Sequence, residues 1–451
     1  MTTVAMVALG KIGLPLAVAM AEGGLDVRGA DIDPRVVELV NAGTPPFPNE
    51  AELDERLAAV VESGKLTATT EVAAAVAASS VVVIVVPLVV DEHAKPDFGA
   101  IDAATAMVAG ALQPGTLVVY ETTLPVHTTR TRFAPALAAG SGLTLGEDLF
   151  VAHSPERVYS GRVFADLRRY PKLVGGIDEE SGARAEAFYV SFLEFDDRPD
   201  LSRPNGVWNL GSAEAAEMAK LAETSYRDLN IAFANQLARG ADAIGVDVYG
   251  VIEACNSQPF SHIHQPGIAV GGHCIPVYPH LLVNSVPEVT LSLRSREVND
   301  EMPRVAVDAV EAELGALDGK TVLILGVAYR GGVKEHAFSG VFPLARLLAE
   351  RGARAVVSDP LYDDEEIRAL GLEPSVRGER VDAAIVQADH AEYRSLGEND
   401  LPGTRVIYDG RCAVDPARFP NIIARVPGAR GLTGLAATPI GETETWTTEG
   451  D

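Results

Sequence analysis

Cys274 is the side chain whose setting most suggests covalent chemistry. It sits in "GIAVGGHCIPVYPH", residues 267–280, among paired glycines and two prolines, in a chain with only two other cysteines, Cys255 and Cys412. A lone cysteine commonly serves as a small buried hydrophobe. Here Gly271 and Gly272 would let a ligand approach the backbone, Pro276 and Pro279 would fix the turn, and His273 offers a polar group that could favour a thiolate. Cys255 and Cys412 have no such setting and read as structural.

A second candidate site opens the chain. "TTVAMVALGKIG" runs from an apolar strand into a glycine turn, and "LPLAVAMAEGG" continues as a helix. A dinucleotide fingerprint uses three glycines, for the turn, for close approach of a pyrophosphate and for helix packing. Ala8 stands in the first position, while Gly10 and Gly13 keep the other two roles around Ile12. Asp31 ends the next strand, "LDVRGADID". A carboxylate there accepts ribose hydroxyls and repels a 2′-phosphate, which points to NAD rather than NADP.

These sites need scaffolds. Buried-type strands at "SVVVIVV" and "TLVVYETT" alternate with helical stretches at 50–64 and 100–112, so the N-terminal part, to about residue 200, is expected to be a doubly wound parallel sheet. From Gly211 to about Gly245, Met218, Leu221, Leu229, Phe233 and Leu237 recur at helical intervals without a proline. Such a helix, roughly 30 residues and about 45 Å long, suits a bridge between domains or a dimer seam, with a plain core helix as the alternative. A second strand-helix series starts at Lys320 with "KTVLILGVAY" and continues through "VFPLARLLAERG", "ARAVVSDP", "DAAIVQ" and "RVIYDGR". The fold class is therefore α/β, two doubly wound domains joined by a long central helix.

Composition narrows the partners. Thirty-seven basic residues against 63 acidic ones give a net charge of −26, which repels nucleic acid and anionic membrane surfaces. The apolar run "VVVIVVPLVV" is half a membrane span and is broken by Pro87. Three cysteines without a CxxC pair suit a reducing, cytoplasmic setting, and no metal site is expected.

Six ordered stretches carry a family resemblance: "YETTLPVHTTR", "HSPERVYSGRVFADLRRYPKLVGG", "AEMAKLAETSYRDLNIAFANQLA", "PGIAVGGHCIPVYP", "SREVNDEMP" and "LGVAYRGGVKE". Together they resemble the nucleotide-sugar 6-dehydrogenases, the UDP-glucose/GDP-mannose dehydrogenase superfamily. "SPERV" with "GGHCIPV" is most similar to the UDP-N-acetylmannosamine and UDP-N-acetylglucosamine branch. The resemblance implies Rossmann-like domains and a four-electron oxidation of a UDP-sugar by NAD through a thiohemiacetal and a thioester on Cys274. It implies Lys220 as oxyanion or proton partner, Glu156 as the group that activates water, and Thr123 beside the nicotinamide and C6. It places Arg157, Val158, Lys220, Arg227, Gly271, Tyr329 and Arg330 at the substrate. The implied organisation is an NAD-binding domain over 1–200, a central dimerisation region with the cysteine loop over 201–305, a sugar-nucleotide-binding domain over 306–430 and an acidic tail over 431–451, in a homodimer.

Several positions depart from the family pattern. Tyr278 stands where an aspartate is usual, Thr224 replaces an asparagine, and Phe260 replaces an arginine that crosses to a neighbouring subunit. Arg330 takes a lysine position and Ala337 the final arginine position of the "YRGGVKEHAF" stretch. These losses leave a second reading open, a relative that binds NAD and a sugar nucleotide without full turnover.

Overall fold

A computed structural model describes residues 2–91 and 94–430. The expected acidic tail, 431–451, lies outside the described residues. Among the described residues the chain forms two compact units, one holding residues up to Glu223 with Asn284–Pro287, the other Thr224–Val283 and residues 288–430.

The first unit is built on β1 (Thr3–Val7), β2 (Asp26–Ala30), β3 (Leu66–Thr69), β4 (Val81–Ile84), β7 (Thr116–Tyr120), β8 (Leu149–His153), β9 (Lys172–Gly176) and β10 (Val207–Asn209), with a separate short hairpin of β5 (Val89–Val90) and β6 (Pro96–Asp97). The sheet order is β10-β9-β8-β7-β4-β1-β2-β3. Strands β4, β7 and β8 are buried along their whole length, which explains why "VVVI" and "TLVVY" are continuous apolar runs rather than alternating ones. Leu16 and Met20 of the helix Gly13–Glu22, Phe164 and Phe188 belong to the core packed against this sheet. The chain leaves β1 towards β2 on one side and β4 on the other, so the switch point where such folds bind ligands lies at the C-terminal end of β1.

One feature differs from the expected parallel sheet. Strand β9 runs antiparallel to β8, and β10 is parallel to β9, so the last two strands are reversed. The β8–β9 pairing is short, Ala152 with Gly176 and His153 with Gly175. Glycine is needed there because a Cβ on Gly175 would lie 2.0 Å from the Ser212 carbonyl oxygen, and one on Gly176 would lie 2.2 Å from the Gly182 nitrogen. Apolar strand patterns report burial, not direction, and this reversal leaves no mark in them.

The second unit holds β11 (Thr321–Leu325), β12 (Arg354–Ser358), β13 (Ala383–Val386), β14 (Val406–Asp409), β15 (Ile423–Val426) and β16 (Ala429–Arg430), in the order β12-β11-β13-β14-β15-β16. All pairs are parallel except β15 with β16. The long helix expected over 211–245 runs Ala213–Ile244, and a second long helix, Thr290–Leu314, carries Pro303 inside it.

The start of the long helix is fixed by a buried acid. Glu217 is fully buried and accepts the N–H groups of His127 at 2.7 Å and Thr129 at 2.8 Å, with the Thr129 hydroxyl at 2.7 Å. Burial lifts its carboxyl group to about 7 against the opposing pull of these bonds. A folded-state pKa raised above the unfolded one gives stability that is complete below the unfolded value and is lost as pH rises through 7. The thermal midpoint of Glu217→Gln is therefore expected to fall less than that of the native chain between pH 5 and pH 8. Equal slopes for the two proteins would place the titration elsewhere.

Candidate active site

The glycine turn of the first unit is a built cradle. Ala8 adopts φ 78°, the left-handed conformation that the missing glycine would take freely, at a cost of about 1–2 kcal/mol. The Leu9 N–H donates to Asp31 Oδ2 at 2.8 Å and the Asp33 N–H to Oδ1 at 2.9 Å, which fixes the Asp31 carboxylate against the turn. Gly13 is obligatory, since its Cβ would meet the Ala8 carbonyl oxygen at 2.0 Å. Gly10 is exposed and a Cβ there would meet nothing within 4 Å. The helix that follows begins after Ile12 with no side-chain cap and no acid in its first turn, so its positive end is not neutralised from within. Open space over Gly10, an uncapped helix start and a fixed carboxylate at the end of β2 fit a dinucleotide, with diphosphate at the helix and ribose at Asp31. Ile32 beside it is 78% exposed.

The C-terminal ends of β7 and β8 bring a second group together. Thr123, which follows β7, is buried; Thr122 beside it donates its hydroxyl to the Val86 carbonyl at 2.7 Å. Glu156, Arg157 and Val158 follow β8 and line a small cleft with Asp166, Tyr170 and Lys172. Glu156 Oε2 lies 2.7 Å from the Lys172 ammonium, which also donates to Glu121 Oε2 at 2.6 Å. Arg157 donates from Nε to Glu223 Oε2 at 2.8 Å, so its guanidinium is engaged by an acid of the long helix. Lys220 is buried one turn before, with its ammonium 3.8 Å from Glu223 Oε1. Glu156, Arg157 and Lys220 thus form one charged cluster inside the first unit. Lys172 and Glu121 were not singled out from the sequence. The signal was a lysine opening the apolar strand "KLVGG" and a glutamate closing "TLVVY".

In the second unit Cys274 is exposed, whereas Cys255 and Cys412 are partly covered and Cys412 Sγ contacts the Tyr249 hydroxyl at 2.9 Å. The Cys274 carbonyl accepts the Tyr278 N–H at 2.9 Å, closing the turn ahead of the helix Tyr278–Ser285. What approaches the two glycines is protein. A Cβ on Gly271 would lie 2.5 Å from Tyr329 Cβ and one on Gly272, at φ 87°, would lie 3.1 Å from the Tyr329 ring. The Gly272 N–H donates to the Ala337 carbonyl at 2.8 Å. Their smallness therefore lets the loop of Tyr329, Arg330 and Phe338 close on the cysteine loop. His273 turns to Glu335, 3.3 Å away. Arg330 donates to the Tyr329 hydroxyl at 3.0 Å. Arg227 lies near His264, whose pKa is lowered by burial and then by that charge. Arg411 went unnoticed in the sequence, yet its Nη2 reaches the carbonyls of Ala269 at 3.0 Å and Tyr329 at 3.3 Å, tying the two loops.

Residues 2–193, 214–302 and 323–416 match, in that order, the NAD binding, central and UDP binding domains of the UDP-glucose/GDP-mannose dehydrogenase family. The chain belongs to this family. It is an NAD-dependent nucleotide-sugar dehydrogenase. It is 35% identical over 419 residues to the UDP-N-acetyl-D-mannosamine dehydrogenase of Pyrococcus horikoshii, covering 90% of this chain and 95% of that protein. It is 33% identical over 422 residues to the NDP-N-acetyl-D-galactosaminuronic acid dehydrogenase of Ralstonia solanacearum, covering 91% and 95%. A solved UDP-D-ManNAc dehydrogenase structure from P. horikoshii matches with a TM-score of 0.83 at 32% identity, covering 95% of this chain and 99% of that one. Nothing in these comparisons favours the binding-only reading. In the dehydrogenase the NAD-binding match contains the Gly10 cradle and Glu156, the central match contains Lys220 and Cys274, and the UDP-binding match contains Tyr329 and Arg330.

The cradle separates two glycine substitutions. Gly10→Ala should keep the native thermal midpoint and weaken NAD at least tenfold in a calorimetric titration, because the methyl group enters only the ligand space. Gly13→Ala should lower the midpoint as well, because the methyl group collides with the Ala8 backbone. Native NAD affinity in both variants would remove the cradle from the cofactor site.

Proposed function

We propose that the enzyme oxidises the C6 alcohol of a UDP-hexose or UDP-N-acetylhexosamine to a carboxylate, with Cys274 as the covalent carrier. The observation that carries this reading is that Cys274 is exposed on a loop built by close glycine packing, whereas Cys255 and Cys412 are partly covered. The names of the two relatives and the "SPERV" and "GGHCIPV" wording favour the N-acetylhexosamine class.

The chain's own groups divide the work as follows. Bound NAD supplies the hydride acceptor, one molecule for each two-electron oxidation. The Cys274 thiolate adds to the aldehyde carbon left by the first oxidation, and the thiohemiacetal so formed would become a thioester by giving up a hydride from that carbon to the second NAD and a proton from its hydroxyl oxygen. The resulting thioester stays activated towards water, and hydrolysis returns the thiol and releases the carboxylate. Lys220 stabilises the alkoxide oxygen or relays its proton. Glu156 takes the proton of the attacking water, since Tyr278, where the family usually has an aspartate, offers a phenol that is mainly a hydrogen-bond donor at neutral pH. Thr123 is assigned to the nicotinamide and C6, with Gly10, Ile12, Gly13 and Asp31 on the rest of NAD. Arg157, Val158, Arg227, Gly271, Tyr329 and Arg330 are assigned to the sugar nucleotide. Its diphosphate needs local cations on a protein of net charge −26. Residues 1–200, 201–305 and 306–430 carry the NAD, dimerisation and sugar-nucleotide roles respectively, in the cytoplasm and without nucleic-acid or membrane partners. Among the described residues no helix is long and apolar enough to cross a membrane.

Two NADH per sugar nucleotide and a carboxylate product are expected from a panel of UDP-sugars, against one NADH and a free aldehyde if the thiol is idle. Cys274→Ser should abolish acid formation, because a serine ester is harder to form and to hydrolyse than a thioester. Cys255→Ser and Cys412→Ser should turn over like the native enzyme. Undiminished acid formation in Cys274→Ser would end the covalent reading.

The homodimer belongs to the same proposal. On the long helix Tyr226 is 54% exposed, Phe233 47% and Ile244 75%, an apolar series that a second copy would cover. Sedimentation at micromolar concentration should give about twice the 47.5 kDa chain mass, and a fully active monomer would contradict it.

A further inference from the structure

The cluster behind Glu156 contains more charge than a salt bridge needs. The Lys172 ammonium, almost completely buried, lies 2.6 Å from Glu121 Oε2 and 2.7 Å from Glu156 Oε2. Glu121 is fully enclosed, and its other oxygen accepts the Tyr189 hydroxyl. Glu156 is the member at the cleft, its Oε1 accepting the Arg157 N–H at 2.8 Å. We propose that Lys172 is the positioning residue for Glu156, and that Glu121, by competing for the same ammonium, sets how firmly Lys172 holds the Glu156 carboxylate at the cleft.

The argument is electrostatic. When Glu121 is ionised, one ammonium is shared between two carboxylates and the cluster carries an excess negative charge, so Glu156 is held less tightly in its ion pair. When Glu121 is protonated, Lys172 serves Glu156 alone and holds its carboxylate in the ion pair. Burial, opposed by Lys172 and reinforced by the Glu156 charge, pushes Glu121 up to about 7, so its ionisation changes in the working range. Burial works against the Lys172 ammonium, but Glu121 and Glu156 outweigh it and keep it charged.

Four other groups face the cluster: Tyr189, His153, Asp166 and Arg157. Burial and Glu121 hold the Tyr189 phenol protonated, and burial together with Lys172 pushes His153 down to about 3, so both stay neutral. Asp166 faces Glu156 from the helix Val163–Arg169 and is paired with Arg162; Arg157 is held by Glu223.

This inference rests on Glu156 as the group that activates water for thioester hydrolysis, and the test separates the two. The full-length enzyme is followed with NAD and the most active member of the UDP-sugar panel, measuring NADH release and acyl-enzyme decay between pH 5.5 and 8.5. In the native enzyme, decay should rise with pH through about 7. Glu121→Gln should slow acyl-enzyme decay about tenfold more than it slows release of the first NADH, and should flatten the rise of decay with pH. Lys172→Arg, which keeps the charge, should retain more of the rate than Lys172→Met. Native decay and a native pH profile in Glu121→Gln would overturn the inference while leaving the base in place. Unslowed decay in Glu156→Gln would instead overturn the assignment of the base, and the inference with it.

Discussion

One ammonium ties the ends of three neighbouring strands in the first unit. Lys172 opens β9, Glu121 follows β7 and Glu156 follows β8, and the two short contacts at Lys172 hold all three in register. Removing one partner of such a buried cluster leaves an uncompensated charge and costs about 3–5 kcal/mol. The consequence runs outward along the chain. With Glu156 fixed, Arg157 meets Glu223 of the long helix, and Lys220 sits one turn earlier on that helix. Glu217 fixes the same helix a turn further back against the turn at residues 127–129. Side chains that come from three separate stretches of sequence are thereby set by two buried carboxylate contacts.

The second unit solves its positioning problem with a comparable chain of buried polar groups. Arg296 donates to Asp228 Oδ1 at 2.6 Å, and Asn299 donates to the same oxygen at 2.7 Å. Asn235 donates to Asn299 Oδ1 at 2.8 Å and accepts the Gly267 N–H at 2.8 Å, where the cysteine loop begins. The loop is thus hung from the long helix at its start, closed by the Cys274–Tyr278 turn at its end and covered by Tyr329 in between. In the proposed role of Cys274, a thiol held by backbone and packing in this way loses little freedom at the moment of attack.

Much of this was legible in the sequence, because burial and turn chemistry are local signals. The apolar runs of β4 and β7, the long helix and the strands of the last domain all follow from periodicity. Ala8 shows the strength of the turn signal: the loop keeps its left-handed geometry although its first glycine is gone. A glycine pair signals close approach without saying what approaches, so the Tyr329 side chain that packs against Gly271 and Gly272 could not be foreseen from it. Lys172 with Glu121, separated by 51 residues, and Arg411 with Ala269, separated by 142, are non-local pairs that no periodicity announces. The reversal of β9 and β10 was hidden for the same reason, as strand direction depends on how the chain returns and not on which residues are apolar.

The central claim is that the substrate becomes covalently attached to Cys274 between its two oxidations. The most direct measurement is acid quenching of the native enzyme within its first turnover, followed by digestion and mass analysis of the peptides that carry Cys255, Cys274 and Cys412. The account predicts an acyl adduct of the sugar nucleotide on the Cys274 peptide alone, rising with the second NADH and decaying to free carboxylate. Two NADH per substrate with no adduct on Cys274 at any time would contradict it.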